Sequence, residues 1–158
     1  MPETTMHARD AVHGAQGVAW VTIEGNRYKF AQLINLEARM EKTKTQVPIM
    51  GKTGKGNKAT GWEGTGSATF HYNTSIFRRL LKRYKDTGED VYFDIQVTNE
   101  DSSAKSTGRQ TTILKDCNID GGLVASLDAD AEYLEDDFDF TFEDWDLVEE
   151  FSMLPEMQ

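Results

Sequence analysis

Two segments of this chain have part of the residue pattern of a ligand site. Gly51-Lys52-Thr53 matches the end of a phosphate-binding loop, but the position of the glycine that begins such a loop holds Gln46. The acids of residues 128–132 match the first ligands of a calcium loop, but the position of its obligatory glycine holds Tyr133 and its twelfth position holds Asp139. Neither segment therefore predicts a bound phosphate or calcium ion.

The residues that most often act as nucleophiles, bases or metal ligands are few and scattered. His7 and His13 lie in a polar N-terminal stretch and His71 lies in a strand pattern, so neither a catalytic triad nor a metal cluster is expected. Cys117 is the only cysteine, and we interpret it as a small apolar core group. The carboxylates are too numerous for any two to stand out as a glycosidase pair. The sequence predicts no catalytic residue, no metal and no cofactor.

Charge is divided unevenly along the chain. All 17 Lys and Arg residues lie at or before Lys115, whereas fifteen of the 27 Asp and Glu residues follow it. The net charge of −10 disfavours stable binding of nucleic acid, which needs clustered bases to neutralise phosphate. One interpretation is head-to-tail self-association, in which a basic region of one copy meets an acidic region of the next. The other is a soluble protein with an acidic tail.

A length of 158 residues suits one domain, but a hydrophobic content of 38% and a mean hydropathy of −0.58 are low for a compact monomer. Arms, long loops or an assembly surface are therefore expected. Residues 1–17 lack the apolar core of a signal peptide, and no apolar run approaches the roughly 20 residues that span a membrane. We expect synthesis in a cytoplasm and no membrane association.

The first half of the chain alternates between strand patterns and polar segments. Residues 1–16 have no pattern and are interpreted as a flexible arm. A hairpin is predicted over residues 18–30 and a half-buried strand over residues 36–41. Residues 42–60 have no helix or strand period and are predicted to form a long loop. Residues 61–72 return to period two, with Trp62, Phe70 and Tyr72 on one face and small residues between them.

The second half predicts one helix and further strands. Residues 75–86 form an amphipathic helix that Gly88 ends. Strands are predicted over residues 91–97, 109–117, 124–133 and 138–143, the last with three Phe residues on one face. The total, about six to eight strands and one helix, predicts a mainly β protein, a two-sheet barrel or sandwich with one flanking α-helix. The boundaries are a single β domain over residues 17–150 and a C-terminal tail over residues 151–158.

The order and spacing of these elements resemble those of the tail tube proteins of PBSX-like and other contractile-tailed phages. The resemblance covers roughly residues 17–150. Its most specific parts are the strand Gly61–Tyr72 that runs directly into the helix Ser75–Lys85, and the final strand Phe138-Asp139-Phe140-Thr141-Phe142. It implies that six copies form a ring by joining their inner sheets, that rings stack into a hollow tube, and that the long loop makes contacts between rings. Type VI secretion and bacteriocin tubes share this fold.

Three groups of residues become candidates for these contacts. The candidates for contact between rings are Lys42, Lys44, Lys52, Lys55 and Lys58. The candidates for strand contact within a ring are Gly61, Gly64, Gly66, Ala68 and Phe70. The candidates for an acidic surface that faces a partner, a sheath or the lumen are Asp136, Asp137, Asp139, Glu143, Asp144 and Asp146.

The resemblance also implies partners and a location. The partners would be other copies of the chain, a tail sheath protein, baseplate or initiator proteins and a tape-measure protein, with DNA passing through unbound. The protein would be assembled in a host bacterial cytoplasm and reside in the virion tail. Two alternatives stay open: a tube of a headless bacteriocin or secretion system, and a monomeric β-sandwich that binds a ligand. Whether the tail contracts is also open.

Overall fold

The computed structural model describes residues 6–30, 32–104 and 106–154. A short 3-10 helix, Ala8–Asp10, precedes the strands, and the α-helix α1 spans Ile76–Thr87. The strands of this described part are β1 Gly17–Ile23, β2 Asn26–Lys29, β3 Leu33–Pro48, β4 Lys55–His71, β5 Phe93–Glu100, β6 Arg109–Gly122, β7 Glu135–Phe142 and β8 Asp144–Glu149. The prediction of a mainly β protein with one α-helix is confirmed, and the strand pairs of the described part are antiparallel.

The chain divides into two compact units. The first unit comprises Met1–Gln32, Val91–Cys117 and Asp144–Gln158, and the second comprises Leu33–Asp90 and Asn118–Glu143. In the first unit the antiparallel strand order is β2-β1-β5-β6-β8. Its core is largely apolar, since alternate residues of β1 and β5 are buried together with two apolar residues of β6. These buried side chains are Ala19, Val21, Ile23, Phe93, Ile95, Leu114 and Cys117.

The N-terminal stretch of the first unit is held by hydrogen bonds. Thr107 Oγ1 donates to the carbonyl oxygen of Asp10 at 3.0 Å, and the N–H of His13 donates to Asp101 Oδ2 at 2.9 Å. Asp10 is buried. These contacts tie Asp10 and His13 to the first unit. The flexibility of residues 1–16 stays a prediction, and residues 1–5 lie outside the described part. The sequence gives no periodic signal for these contacts, because they are hydrogen bonds and do not require a repeating pattern of apolar residues.

The second unit contains a sheet in the order β3-β4-β7 with the end of β6, and the helix α1. The helix lies one residue further along the chain than the predicted range 75–86, and it ends at Gly88 as predicted. Gly88 takes a left-handed φ of 75°, and its N–H donates to the carbonyl oxygen of Tyr84 at 2.8 Å. Phe77, the buried residue of α1, stacks on Phe138 of β7 with ring centroids 4.3 Å apart.

The predicted long loop over residues 42–60 is wrong. β3 and β4 pair throughout this stretch, from Thr43 with Gly61 to Pro48 with Lys55, so only a short turn joins them. The hairpin is exposed on both faces except near Gly56, so it needs no alternation of apolar and polar residues and gives no strand period.

The chain between β6 and β7 also differs from the prediction of a strand over residues 124–133. It forms no strand, and the side chains of Val124 and Leu127 are 77% and 99% exposed. Its apolar residues simulate a strand pattern without any partner to bury them. The strand that follows β7 is instead β8, which pairs with β6 from Thr111 to Lys115.

A buried ion pair joins α1 to β7. Asp136 is 4% exposed and accepts a charged hydrogen bond from Arg78. The same guanidinium donates to the carbonyl oxygen of Thr74 and lies 4.4 Å above the ring of Tyr72. This pair contradicts the prediction that Asp136 belongs to an exposed acidic surface.

We predict that Asp136→Asn lowers the free energy of unfolding by about 3 kcal/mol, because Arg78 would keep a largely buried charge without its counter-ion. Urea denaturation measures this effect. The matched control is Asp137→Asn, which changes the exposed neighbour and should cost less than about 0.5 kcal/mol. Equal midpoints for the two variants would contradict the assignment.

A second prediction concerns Asp101. Hydrogen bonds from the hydroxyl and the N–H of Ser103, and from the N–H of His13, lower the pKa of its carboxyl below the ordinary value of 3.8. A lowered pKa in the folded state adds stability that is present above the unfolded pKa and is lost as pH falls through the folded one. The stability lost in Asp101→Asn should therefore be measurable at pH 7 and shrink below about pH 4. Thermal melts across pH test this, and a pH-independent difference would contradict it.

Candidate functional site

The sheet of the second unit has two chemically different faces. Directly opposed residues of β4 and β7 are Gly64 with Phe142, Gly66 with Phe140, and Ala68 with Phe138. The three Phe residues are buried, and α1 covers this face through Phe77. The prediction that the three Phe residues share one face of the last predicted strand is confirmed. We call this the aromatic face.

The glycines of β4 make room for the phenylalanine rings of β7. A Cβ built on Gly64 would lie 2.6 Å from Phe142 Cδ2, and one built on Gly66 would lie 2.8 Å from Phe140 Cε2 and 2.9 Å from the carbonyl oxygen of Glu37. Real Cβ atoms do not approach so closely. Both glycines are therefore sites of close approach, by a ring at Gly64 and by a ring and a backbone oxygen at Gly66.

The opposite face of the same sheet is open and acidic. The residue pairs here are Glu37 with Ser67, Glu41 with Glu63, Ser67 with Asp139, Thr69 with Asp137, and His71 with Glu135. All their carboxylates are exposed. We call this the acidic face and define it by Glu37, Glu41, Glu63, Asp120, Glu135, Asp137 and Asp139. A shallow groove of about 500 Å³ crosses it, lined in part by Glu37, Arg39, Asp120 and Asp139.

Positive charge on the acidic face is partly neutralised within the chain. Arg39 Nε donates to Glu37 Oε1 at 2.5 Å, so this guanidinium is paired with a carboxylate of its own strand. His71 lies edge-on to Tyr133 with ring centroids 5.5 Å apart. The face as a whole therefore has a strong negative potential, which repels polyanions and attracts cations.

The predicted acidic residues fall in four places. Asp137 and Asp139 lie on the acidic face, and Glu143 is exposed just after β7. Asp144 and Asp146 are exposed on β8 of the first unit. Asp136 is buried against Arg78 and is not available to a partner.

The predicted lysines come together on the exposed hairpin. Lys42 and Lys44 lie on β3, Lys55 and Lys58 lie on β4, and Lys52 lies in the turn between them. We call residues 42–63 the basic hairpin. Its tip also carries Val47, Ile49 and Met50, whose exposure the prediction of a polar loop missed. The short run Val47-Pro48-Ile49-Met50 between bases was the available signal.

The residues predicted to make strand contacts within a ring differ in whether their strand is paired on one side or on both. From Gly64 to Phe70, β4 has β3 on one side and β7 on the other, so these residues are interior to the sheet. Gly61 pairs with Thr43 of β3, and β7 does not extend to it. Within the described ranges, the open edges of this sheet include the outer side of β3 and the part of β4 over residues 55–63.

Cys117, which the sequence suggests is an apolar core group, is fully buried in the first unit. Burial raises the pKa of the Cys117 thiol to about 12, and the charges of Asp94 and Asp116 contribute to this rise. The thiol therefore stays protonated and unreactive. No cluster of three or more potential ligands for a metal ion occurs among the described residues. Over the same ranges, no helix has the length and apolarity that crossing a membrane requires.

Comparison with known proteins bears directly on these surfaces. A family model described as phage tail tube protein matches residues 4–149. The chain is 40% identical over 148 residues to the phage-like element PBSX protein XkdM of Bacillus subtilis (strain 168), covering 93% of this chain and 97% of that protein.

Solved structures show the same fold at low sequence identity. A chain of the anti-feeding prophage baseplate superposes with a TM-score of 0.65 at 12% identity, covering 87% of this chain and 95% of that one. A chain of the sheath/tube terminator of the extracellular contractile injection system PVC superposes with a TM-score of 0.60 at 10% identity, covering 88% and 97%. The match to the family model and the relative at 40% identity place this chain in the phage tail tube protein family, whose members are structural proteins.

Proposed function

We propose that six copies of this chain form a ring and that the rings stack into the hollow inner tube of a tail, through which DNA passes without specific binding. The observation that carries the proposal is the acidic face, which lies on the side of the sheet opposite to the face that α1 covers. If the acidic face lines the channel, its carboxylates repel the phosphates of DNA and prevent adhesion.

Ring closure would use the open edges of the sheets. An exposed edge presents unpaired N–H and C=O groups that invite pairing with another chain, and a closed ring removes such edges. In the second unit the outer side of β3 and residues 55–63 of β4 are available for this pairing. Gly61 lies on such an edge, whereas Gly64, Gly66, Ala68 and Phe70 would support it from inside the sheet.

Stacking of rings would use the basic hairpin. Its lysines project from a chain with a net charge of −10, so an acidic region of a neighbouring copy is an electrostatically favourable partner. Glu143, Asp144 and Asp146 are exposed and belong to that acidic part of the chain. Within a tail, we expect contacts with a sheath protein, with baseplate or initiator proteins and with a tape-measure protein, and assembly in the host cytoplasm before incorporation into the virion.

Electron microscopy of negatively stained protein over a concentration series tests the proposal, with and without preformed tail baseplates as nuclei. We expect rings or hollow tubes of uniform width. A protein that remains monomeric at every concentration and does not add to baseplates would contradict the proposal and favour a monomeric β-sandwich that binds a ligand.

We predict that the triple variant Lys52→Glu, Lys55→Glu and Lys58→Glu folds normally but fails to form tubes, because the hairpin would repel an acidic partner. Circular dichroism measures folding, and microscopy measures tube length. The matched control is Arg79→Glu, Lys82→Glu and Lys85→Glu, which reverses three charges on α1. Normal tubes from the hairpin variant would show that its lysines do not act in stacking.

A tube of a phage-tail-like particle without a head is the second candidate. The same surfaces would serve it, with a different cargo. Capsid and terminase genes beside the gene for this chain would favour a virion, and their absence would favour a headless particle.

A further inference from the structure

The tip of the basic hairpin is apolar and forms a closed turn in the single chain. Met50 is fully exposed at 102%, and Ile49 and Val47 are 43% and 39% exposed. The N–H of Lys52 donates to the carbonyl oxygen of Ile49 at 3.2 Å, and Gly51 takes the left-handed φ of 84° that closes the turn. Exposed apolar groups at the end of a charged projection are typical of a surface that another molecule covers.

A groove with matching chemistry lies at the base of the same hairpin. It measures about 430 Å³ and is lined by Trp62, Glu63, Gly64, Thr141, Phe142 and Glu143. It opens where β7 ends and β4 continues alone beside β3. Trp62 is 39% exposed there, and its ring centroid lies 6.2 Å from that of Phe142. The groove therefore has the partly exposed ring of Trp62 and two carboxylates, Glu63 and Glu143, in its lining.

The tip and the groove are complementary in both polarity and charge. The tip presents Met50 beside Lys52 and Lys55, and the groove presents Trp62 beside Glu63 and Glu143. A hairpin cannot fold its tip onto its own base, because the seven residues from Lys55 to Trp62 separate them by roughly 23 Å of paired strand. A tip that enters this groove must therefore belong to another copy.

We propose that the apolar tip of the basic hairpin of one copy inserts into the Trp62–Phe142 groove of a second copy in the next ring. This inference rests on the proposed tube function and names the two surfaces that stack the rings. The contact joins unlike surfaces of identical chains and leaves one free tip and one free groove at the two ends. Such a head-to-tail contact propagates into an open polymer instead of closing on itself.

A charge exchange tests the contact. Variant A carries Lys52→Glu and Lys55→Glu, variant B carries Glu63→Lys and Glu143→Lys, and variant AB carries all four changes. Neither A nor B alone should form tubes, since each has like charges at tip and groove. An equimolar mixture of A and B should form tubes, because the tip of each then meets a groove of opposite charge. Variant AB should recover tubes by itself.

The outcomes separate this contact from the tube function on which it rests. Tubes from the unaltered chain, none from A or B, and recovery in the mixture and in AB support the contact. Normal tubes from A and from B, or no recovery in AB although circular dichroism shows a folded protein, would overturn the contact and leave the tube function standing. Absence of rings and tubes from the unaltered chain, also with baseplates as nuclei, would overturn both.

The apolar part of the contact has its own test. Met50→Asp should raise the protein concentration needed for tube growth at least about tenfold, because a charged group would have to be buried on Trp62. Leu127→Asp is the matched control, since Leu127 is 99% exposed but lies outside the tip and the groove. Equal effects of the two substitutions would contradict a specific role for Met50.

Discussion

The packing of β7 phenylalanines on the small residues of β4 is the interaction on which the second unit depends. Phe142, Phe140 and Phe138 lie opposite Gly64, Gly66 and Ala68, where the glycines leave no side chain to compete for the space. Burial of rings this large contributes most of the apolar stabilisation available to a sheet with so few other buried residues. The stacked ring of Phe77 and the buried Arg78–Asp136 pair then fix α1 on the same face.

This packing places the apolar groups on one face of the sheet, so the other face can consist of polar and acidic residues. Because side chains alternate along a strand, the residues between the three phenylalanines must point away from the aromatic face, and they are Asp139 and Thr141, with Asp137 before them. The acidic face is therefore a direct consequence of the pattern that builds the core. A subunit with a covered face and a charged face suits a wall between a channel and an exterior, and it needs no catalytic residue.

The sequence predicts elements that have an apolar period and fails where polar contacts or exposure decide the structure. The sequence predicts the alternation of phenylalanines in β7 and the face that the residues of β4 share. It also predicts the amphipathic helix and the glycine that ends it. The hairpin beyond Lys42 was not readable, because a strand exposed on both faces has no reason to alternate. The predicted strand over residues 124–133 fails for a different reason. Val124 and Leu127 are apolar residues of an exposed loop, and their spacing resembles that of a strand.

The site residues follow the same division. The lysine cluster and two acids of the acidic face, Asp137 and Asp139, were identified from charge and the resemblance. The other acids of that face, the burial of Asp136 and the apolar tip at Met50 depend on tertiary neighbours. A helical cryo-EM reconstruction of the assembled tube tests the central claim most directly. The account predicts that Glu37, Asp137 and Asp139 line the channel and that α1 lies on the outer side of their sheet. A tube in which α1 faces the channel would contradict it.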